Sequence, residues 1–348
     1  MKDLSLVNKI LYLLNSISLF LLITSYLSPY ISPNIFWPIS FMGLIFPLLY
    51  IINIIFLLYW LIIFKKPAWA NIIILLIGSS NVNNYIGSSS NTESSEENIN
   101  ILTYNVRLFN KYDWIKEQGV QEKIFDFLKS ENADILCIQE FYTQDTAPNL
   151  NYSYKHIGKQ NRSNQGNMAI YSIYPQIKQQ TVSIGGEKMN NTCIFSDIII
   201  KNDTIRIYNI HLASNWFNSS DYLFIQNPQK GKISENILGI IKRMKKSYKK
   251  RAEEVQEIKK HIKNSPYPLI VCGDFNDTPL SYAYQAIKGK LIDSFSVSGK
   301  GIGNSFVNIP TLRIDYILHD VRFKSAKYKK HHNVLSDHYA ISCEITIP

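Results

Sequence analysis

Pro268–Asp277 reads PLIVCGDFND. Pro268–Cys272 has the pattern of a short buried strand that stops at Gly273, and an acid, an aromatic and an amide (Asp274, Phe275, Asn276) follow at once. One Asp after a strand is ordinarily a turn former or a helix cap. Here the design recurs. TYNV carries Asn105, CIQE carries Glu140, YNIHL carries His211, RIDYI carries Asp315, and LSDH carries Asp337 and His338. Together these segments hold the carboxylates, amides and imidazoles that chemistry on phosphate requires.

Around these motifs the sequence predicts strands at Asn100–Val106, Asp134–Gln139, Asn167–Ser172, Thr192–Ile200, Thr204–Asn209, Arg313–Leu318 and Tyr339–Ile347. Helical spacing covers Lys116–Lys129, Ile233–Ile262 and Tyr282–Ile287. Strands outnumber helices and polar residues cluster just past strand ends. This pattern suits stacked sheets with catalytic loops at one rim.

The residue types suggest roles. A hard cation such as Mg²⁺ takes oxygen ligands from one or two carboxylates and keeps several waters. Glu140 and Asp337, with the Asn105 carbonyl, suit that task. Asp274 is placed to orient a water or take its proton. His338 held by Asp315 stays in one tautomer and remains protonated beside phosphate. Asn276 is read as a donor to a non-bridging oxygen, and His211 as a further phosphate donor or leaving-group acid. No zinc-type Cys/His spacing, Gly-x-Ser-x-Gly elbow or Walker lysine loop is present.

The ordered set TYNV, CIQE, NIHL, GDFND-x-P, RIDYI and SDH resembles the endonuclease/exonuclease/phosphatase superfamily, the DNase I-like fold, from about Asn100 to Pro348. The resemblance implies an α/β four-layer sandwich and phosphoester hydrolysis by in-line water attack with Mg²⁺ or Mn²⁺. It assigns metal binding to Asn105, Glu140 and Asp337, and catalysis to His211, Asp274, Asn276, Asp315 and His338. Two departures bear on substrate. Tyr142 stands where DNase I-like nucleases place a basic residue, and His211 stands where abasic-site endonucleases usually have Tyr. The DNase I disulfide pattern is not evident, and the four cysteines read as core thiols.

The N-terminal region is different in kind. From Ile10 to Phe64 there are 55 residues without a charge. Residues 1–98 hold four basic and four acidic side chains, so the formal net charge of +10 belongs to residues 99–348. Ile10–Leu27 and Phe36–Phe64 read as membrane spans, with Pro47 kinking the second without ending it, and Ala68–Ile77 reads as a shorter third. No small-x-small site precedes the second apolar segment, so a cleaved signal is not expected. Lys2 and Lys9, and then Lys65 and Lys66, place the N-terminus and the second loop inside. Three spans would then put the rest of the chain outside, and two would leave it in the cytoplasm; three is preferred. The expected organisation is a transmembrane region at 1–80, a polar linker at 81–98 and a catalytic domain at 99–348. It looks like the membrane-anchored bacterial members of the superfamily, in the inner membrane with the domain on the extracytoplasmic side.

The expected partners are the bilayer and an anionic phosphate ester, either nucleic acid or a phospholipid headgroup; no protein partner is inferable. Lys242–Arg251 (KRMKKSYKKR) has seven basic residues in ten. It reads either as a contact for phosphate backbone or anionic lipid, or as a solvated helix face. Trp216, Phe217, Tyr222 and Phe224 in Ser214–Gln229 read either as a substrate wall or as cover for a sheet edge. A phosphomonoesterase is the alternative enzyme. A catalytically inactive, membrane-tethered binding module is the alternative from another class.

Overall fold

The computed structural model describes residues 5–89, 98–142, 148–158, 167–184, 192–215, 233–309 and 311–348. The chain forms two units. One comprises Met1–Asn84, Asn215–Ala252 and Asp277–Gln285; the other comprises Tyr85–Ser214, Glu253–Asn276 and Ala286–Pro348.

The first unit is helical. It contains α1 (Leu6–Leu27), α2 (Pro33–Phe36), α3 (Pro38–Leu44), α4 (Phe46–Ile62) and α5 (Pro67–Val82). Among the described residues, only α1 is by itself long and apolar enough to cross a membrane; at 1.5 Å per residue its 22 residues reach about 33 Å. Phe36–Phe64 is not one helix, contrary to the sequence reading: α3 and α4 meet at a 64° bend at Ile45. Pro47 sits in the first turn of α4, where its missing N–H costs nothing and where it favours a fresh start. The third apolar helix is longer than predicted, because Ser79, Ser80 and Asn81 continue it. Buried amides join the helices. Asn71 Nδ2 donates to Asn15 Oδ1 (2.9 Å), Trp60 Nε1 donates to the same oxygen (2.8 Å), and Asn53 Nδ2 donates to Ser18 Oγ (2.9 Å). Tyr59 bonds Asn8 and Tyr26 bonds the Ile74 carbonyl, so α4 runs antiparallel to α1 and α5 runs parallel to it. The outward faces are apolar: Leu13, Phe20, Ile51, Ile55 and Ile73 are all exposed.

The second unit is built on two six-stranded mixed sheets. One has the order β13 (Lys324–Lys330), β14 (Ile341–Thr346), β2 (Ile99–Asn105), β3 (Ile135–Phe141), β5 (Asn167–Ser172), β4 (Tyr154–Ile157). The other has β10 (Ile292–Asp293), β12 (Asp315–His319), β9 (Leu269–Asp274), β8 (Asp203–His211), β7 (Cys193–Ile200), β6 (Gln176–Thr181). The two-residue period of a strand sends side chains to alternate faces. Ile101, Ile135 and Ile170 therefore meet Ile194, Ile207 and Ile270 in the core between the sheets. Leu102, Tyr104, Leu136 and Ile138 point the other way, onto α6 (Val120–Ser130). That helix buries Val120, Ile124, Phe127 and Leu128, one stripe at helical spacing, worth roughly 1.5–3 kcal/mol per side chain. On the opposite side, the C-terminal part of α7 (Ile233–Lys263) covers the second sheet: Tyr208 Oη lies 2.8 Å from His261 Nδ1. Helix, sheet, sheet and helix make the expected layers.

Some elements differ from the sequence reading. Lys116–Gln118 is not helical, because Gly119 at φ +71° caps α6 and delays its start. The strands β4, β6 and β13 were not expected; their Lys, Gln and Tyr content hides the period. Ile86–Ser88, inside the polar stretch, forms β1 and pairs with β11 (Lys300–Ile302). The short helices α8 (Tyr282–Lys288) and α9 (Ser294–Ser298) complete the chain. All four cysteines are buried free thiols.

Candidate active site

Strand register assembles the site. The parallel pairing of β2 and β3 sets Asn105 opposite Gln139, one residue before Glu140. Parallel β8 and β9 pair His211 with Asp274, and antiparallel β9 and β12 pair Asp274 with Asp315. His338 joins through an isolated bridge with Phe306. Two backbone details make this possible. Gly273 adopts φ +136°, and a Cβ there would lie 1.9 Å from the Ile210 carbonyl oxygen, so only glycine allows β8 and β9 to approach here. Glu140 sits at φ +51° on a bulge that turns its side chain out of the β3 alternation.

Asp274 is the hub and is buried. Its Oδ1 accepts the Asn276 backbone N–H (2.8 Å). Its Oδ2 accepts from Asn105 Nδ2 (3.0 Å) and Asn276 Nδ2 (3.1 Å). Burial pushes its carboxyl up to about 6; Asp315 adds to this, while His338, His211 and the Asn276 N–H oppose it. His338 Nδ1 lies 2.9 Å from Asp315 Oδ2, and His338 Nε2 lies 3.7 Å from Asp274 Oδ2. Burial alone would neutralise this imidazole, yet Asp315, Asp274 and Asp337 together hold it well above the usual histidine range. His338 is thus an imidazolium between carboxylates.

His211 behaves oppositely. Burial lowers its affinity for a proton despite the nearby Asp274. Its Nε2 lies 3.7 Å from both Glu140 Oε1 and Asp274 Oδ2, buried and without a hydrogen bond. Such an orphan costs about 1–3 kcal/mol. Burial, and then repulsion from Asp337, raise the Glu140 carboxyl above its ordinary range, against the Asn105 amide, His338 and Arg107. A cation between Glu140 and Asp337 would relieve that repulsion, so the donor set fits a hard divalent ion. Asp274, Asp315 and His338 also bring ligand atoms within 4.8 Å of one another. Within this group the His338 Nδ1–Asp315 Oδ2 contact already engages one ligand atom from each of two members.

All eight residues singled out in the sequence lie in the second unit. Asn105, Glu140, His211, Asp274, Asn276, Asp315 and His338 are linked by the contacts above, and Asp337 is joined to them by Arg107. Two placements differ in detail from the reading. The Asn276 amide is already committed to Asp274 and the Leu212 carbonyl (3.0 Å), so it holds the carboxylate rather than presenting itself to a ligand. Asn105 turns its Nδ2 toward the carboxylates (3.2 Å to Glu140 Oε1), while its carbonyl accepts the Arg107 N–H (3.0 Å).

Several contributors were not singled out. Arg107 Nε lies 3.3 Å from Asp337 Oδ2, and its guanidinium stacks 4.4 Å from the Trp114 ring. Arg107–Asn110 all have positive φ, a left-handed turn that swings this arginine back over the rim. Lys111 Nζ sits 3.6 Å from the Tyr142 ring. Ser336 Oγ donates to the Asn105 backbone carbonyl (2.8 Å) and ties the SDH segment to β2. Gln139 Nε2 donates to Asn209 Oδ1 (2.6 Å), a buried amide link between the sheets behind the site. Trp216, Phe217, Tyr222 and Phe224 lie outside the described residues.

Comparison with known proteins bears on the fold. Residues 246–338 match the Endonuclease/Exonuclease/phosphatase family. The fold is that of the endonuclease/exonuclease/phosphatase proteins. The catalytic domain of human Nocturnin, solved with bound sulfate, superposes with TM-score 0.54 at 16% identity, over 74% of this chain and 97% of that one. An endonuclease/exonuclease/phosphatase family protein from Bacteroides thetaiotaomicron gives 0.53 at 17% identity, over 75% and 100%. A mannosyl-6-phosphatase from the same organism gives 0.50 at 16% identity, over 72% and 100%. At such identities the likeness establishes an endonuclease/exonuclease/phosphatase fold, and the chemistry has to come from the side chains. Residues 8–85 match a domain of unknown function, DUF8431. No curated protein matches the sequence.

Proposed function

We propose that this chain is a membrane-anchored, divalent-metal-dependent phosphodiester hydrolase. The observation that carries the reading is the Asp315–His338–Asp274 arrangement, with the unpartnered His211 Nε2 facing the same carboxylate. Asp274 accepts from two amide groups that fix its direction, and with its carboxyl near 6 it is ionised at neutral pH yet basic enough to take a proton from water. His338, kept charged by Asp315, binds a phosphoryl oxygen and returns a proton. His211 Nε2 gains a partner when a phosphate oxygen enters. Glu140 and Asp337, with Asn105 beside them, would hold Mg²⁺ or Mn²⁺, which when bound neutralises charge developing on the phosphoryl oxygens. Arg107 holds Asp337 and adds a fixed positive charge at the rim.

The anchor reading rests on the 22-residue α1 and on the apolar outward faces of α4 and α5 around a hydrogen-bonded amide core, the arrangement helices take in lipid. If α1, the bent α3–α4 pair and the shorter α5 each cross, the catalytic unit lies outside the cytoplasm; if only α1 and the bent pair cross, it lies inside. Purified full-length protein is to be assayed on plasmid DNA, RNA, a sphingomyelin-type lipid, a bis-aryl phosphodiester and an aryl phosphomonoester. Turnover of a diester with Mg²⁺ or Mn²⁺ supports the proposal. Turnover of the monoester alone replaces it with the phosphomonoesterase, and binding without turnover points to the tethered module.

A further inference from the structure

The long helix α7 has two opposed faces. Met244, Ser247, Tyr248 and Arg251 are buried, and Lys242, Lys245, Lys246 and Lys249 fall on the other side at i, i+3, i+4 and i+7. The first three lysines are exposed and Lys249 is half-buried. The buried face sits on the connection between α1 and α4. Tyr248 meets Phe41 edge to face at 5.4 Å, and Lys245 Nζ lies 5.1 Å from the Trp37 ring. Directly before Trp37 in the chain, α2 exposes Ile35 and Phe36.

This places a row of ammonium groups next to a tryptophan and bare apolar side chains, at the end of an apolar bundle. Tryptophan prefers the depth of lipid headgroups, and lysines beside it reach the phosphates while their stems lie on apolar surface. We propose that Lys242, Lys245, Lys246 and Lys249 form a binding face for anionic phospholipid headgroups of the bilayer that holds α1, α4 and α5. The inference rests on the membrane reading of those helices and is separate from the catalytic one. Nucleic acid is disfavoured as the occupant, because the lysine row ends against apolar residues rather than continuing as a basic groove.

The test uses full-length protein in zwitterionic detergent. Bound phosphatidylglycerol and phosphatidylcholine are counted by native mass spectrometry, and affinity for a DNA duplex is measured in parallel. Three proteins are compared: wild type, the Lys242→Ser/Lys245→Ser/Lys246→Ser/Lys249→Ser variant, and a Lys259→Ser/Lys260→Ser/Lys263→Ser control on the same helix. Wild type and control are expected to prefer phosphatidylglycerol at least tenfold, and the four-lysine variant to lose that preference, with an unchanged melting temperature in detergent. A four-lysine variant that keeps the preference, a control that loses it equally, or a loss confined to DNA binding overturns the proposal. Alkaline carbonate extraction separates the two ways of failing. If wild type leaves the membrane, the membrane reading fails and takes this inference with it. If it stays but shows no lipid preference, the headgroup site alone is refuted.

Discussion

His338 Nδ1 stands 2.9 Å from Asp315 Oδ2, at the rim where β9 and β12 pair Asp274 with Asp315. The carboxylate fixes the imidazole's orientation and keeps it charged at neutral pH. Asp315→Asn removes the charge and keeps the shape. Turnover is expected to fall ~10²–10⁴-fold, the usual share of a positioned acid or base. The activity needs a protonated imidazole, so it is lost as pH rises through the His338 pKa, and in the variant that loss comes at lower pH. A pH–rate profile whose basic limb does not move contradicts the assignment.

The Asp274 carboxyl makes stability depend on pH. Pushed up to about 6 from 3.8, it binds protons more tightly folded than unfolded. Stability therefore falls as pH rises from about 4 to about 6, and the deficit persists above that. Asp274→Asn removes this titration, though its amide NH₂ would meet the Asn105 or Asn276 donors that the carboxylate accepts. In chelator the variant is expected to be inactive and to lose the decline in stability between about pH 4 and about pH 6, as denaturant melts will show.

Arg107 holds Asp337 and stacks on Trp114, a geometry that a flat guanidinium satisfies and an ammonium does not. Arg107→Lys is expected to raise KM several-fold more than it lowers kcat and to shift Trp114 emission. Full activity in the lysine variant would show that only charge matters there.

His156 is buried, with Nδ1 3.1 Å from Ser196 Oγ, and burial lowers its pKa to about 4, partly offset by the Phe195 backbone. The unfolded chain protonates this group near 6.5 and the folded chain does not. Stability is therefore full above 6.5 and declines as pH falls toward 4, by about 3 kcal/mol over the window. His156→Gln is expected to flatten that slope in denaturant melts from pH 7 to pH 4.5.

Much of the site was legible because it follows strand ends. An apolar run has few alternatives to a buried strand, so Asn105, Glu140, His211, Asp274 and Asp315 fall on one rim once the strands pair. Arg107 was not legible: its approach depends on four left-handed residues in a row, which Arg, Leu, Phe and Asn do not announce. Nor was the hold of Asn276 on Asp274, since amide donors look alike in sequence whether they face a ligand or a neighbour. The apolar region showed its composition but not its break at Ile45, because a proline inside an apolar run is consistent with either a kink or a new helix. The strands β4, β6 and β13 are edge or near-edge elements whose polar faces mask the two-residue period.

The most direct test is hydrolysis of bis(4-nitrophenyl) phosphate by the full-length protein, with Mn²⁺, with Mg²⁺ and with chelator, for wild type, Asp274→Ala and His338→Ala. Turnover with metal, its loss in chelator, its return with excess metal, and a drop of about 10³-fold or more in both variants is the expected result. Equal turnover in chelator, or variants as active as wild type, would contradict a metal-dependent hydrolase built on Asp274 and His338.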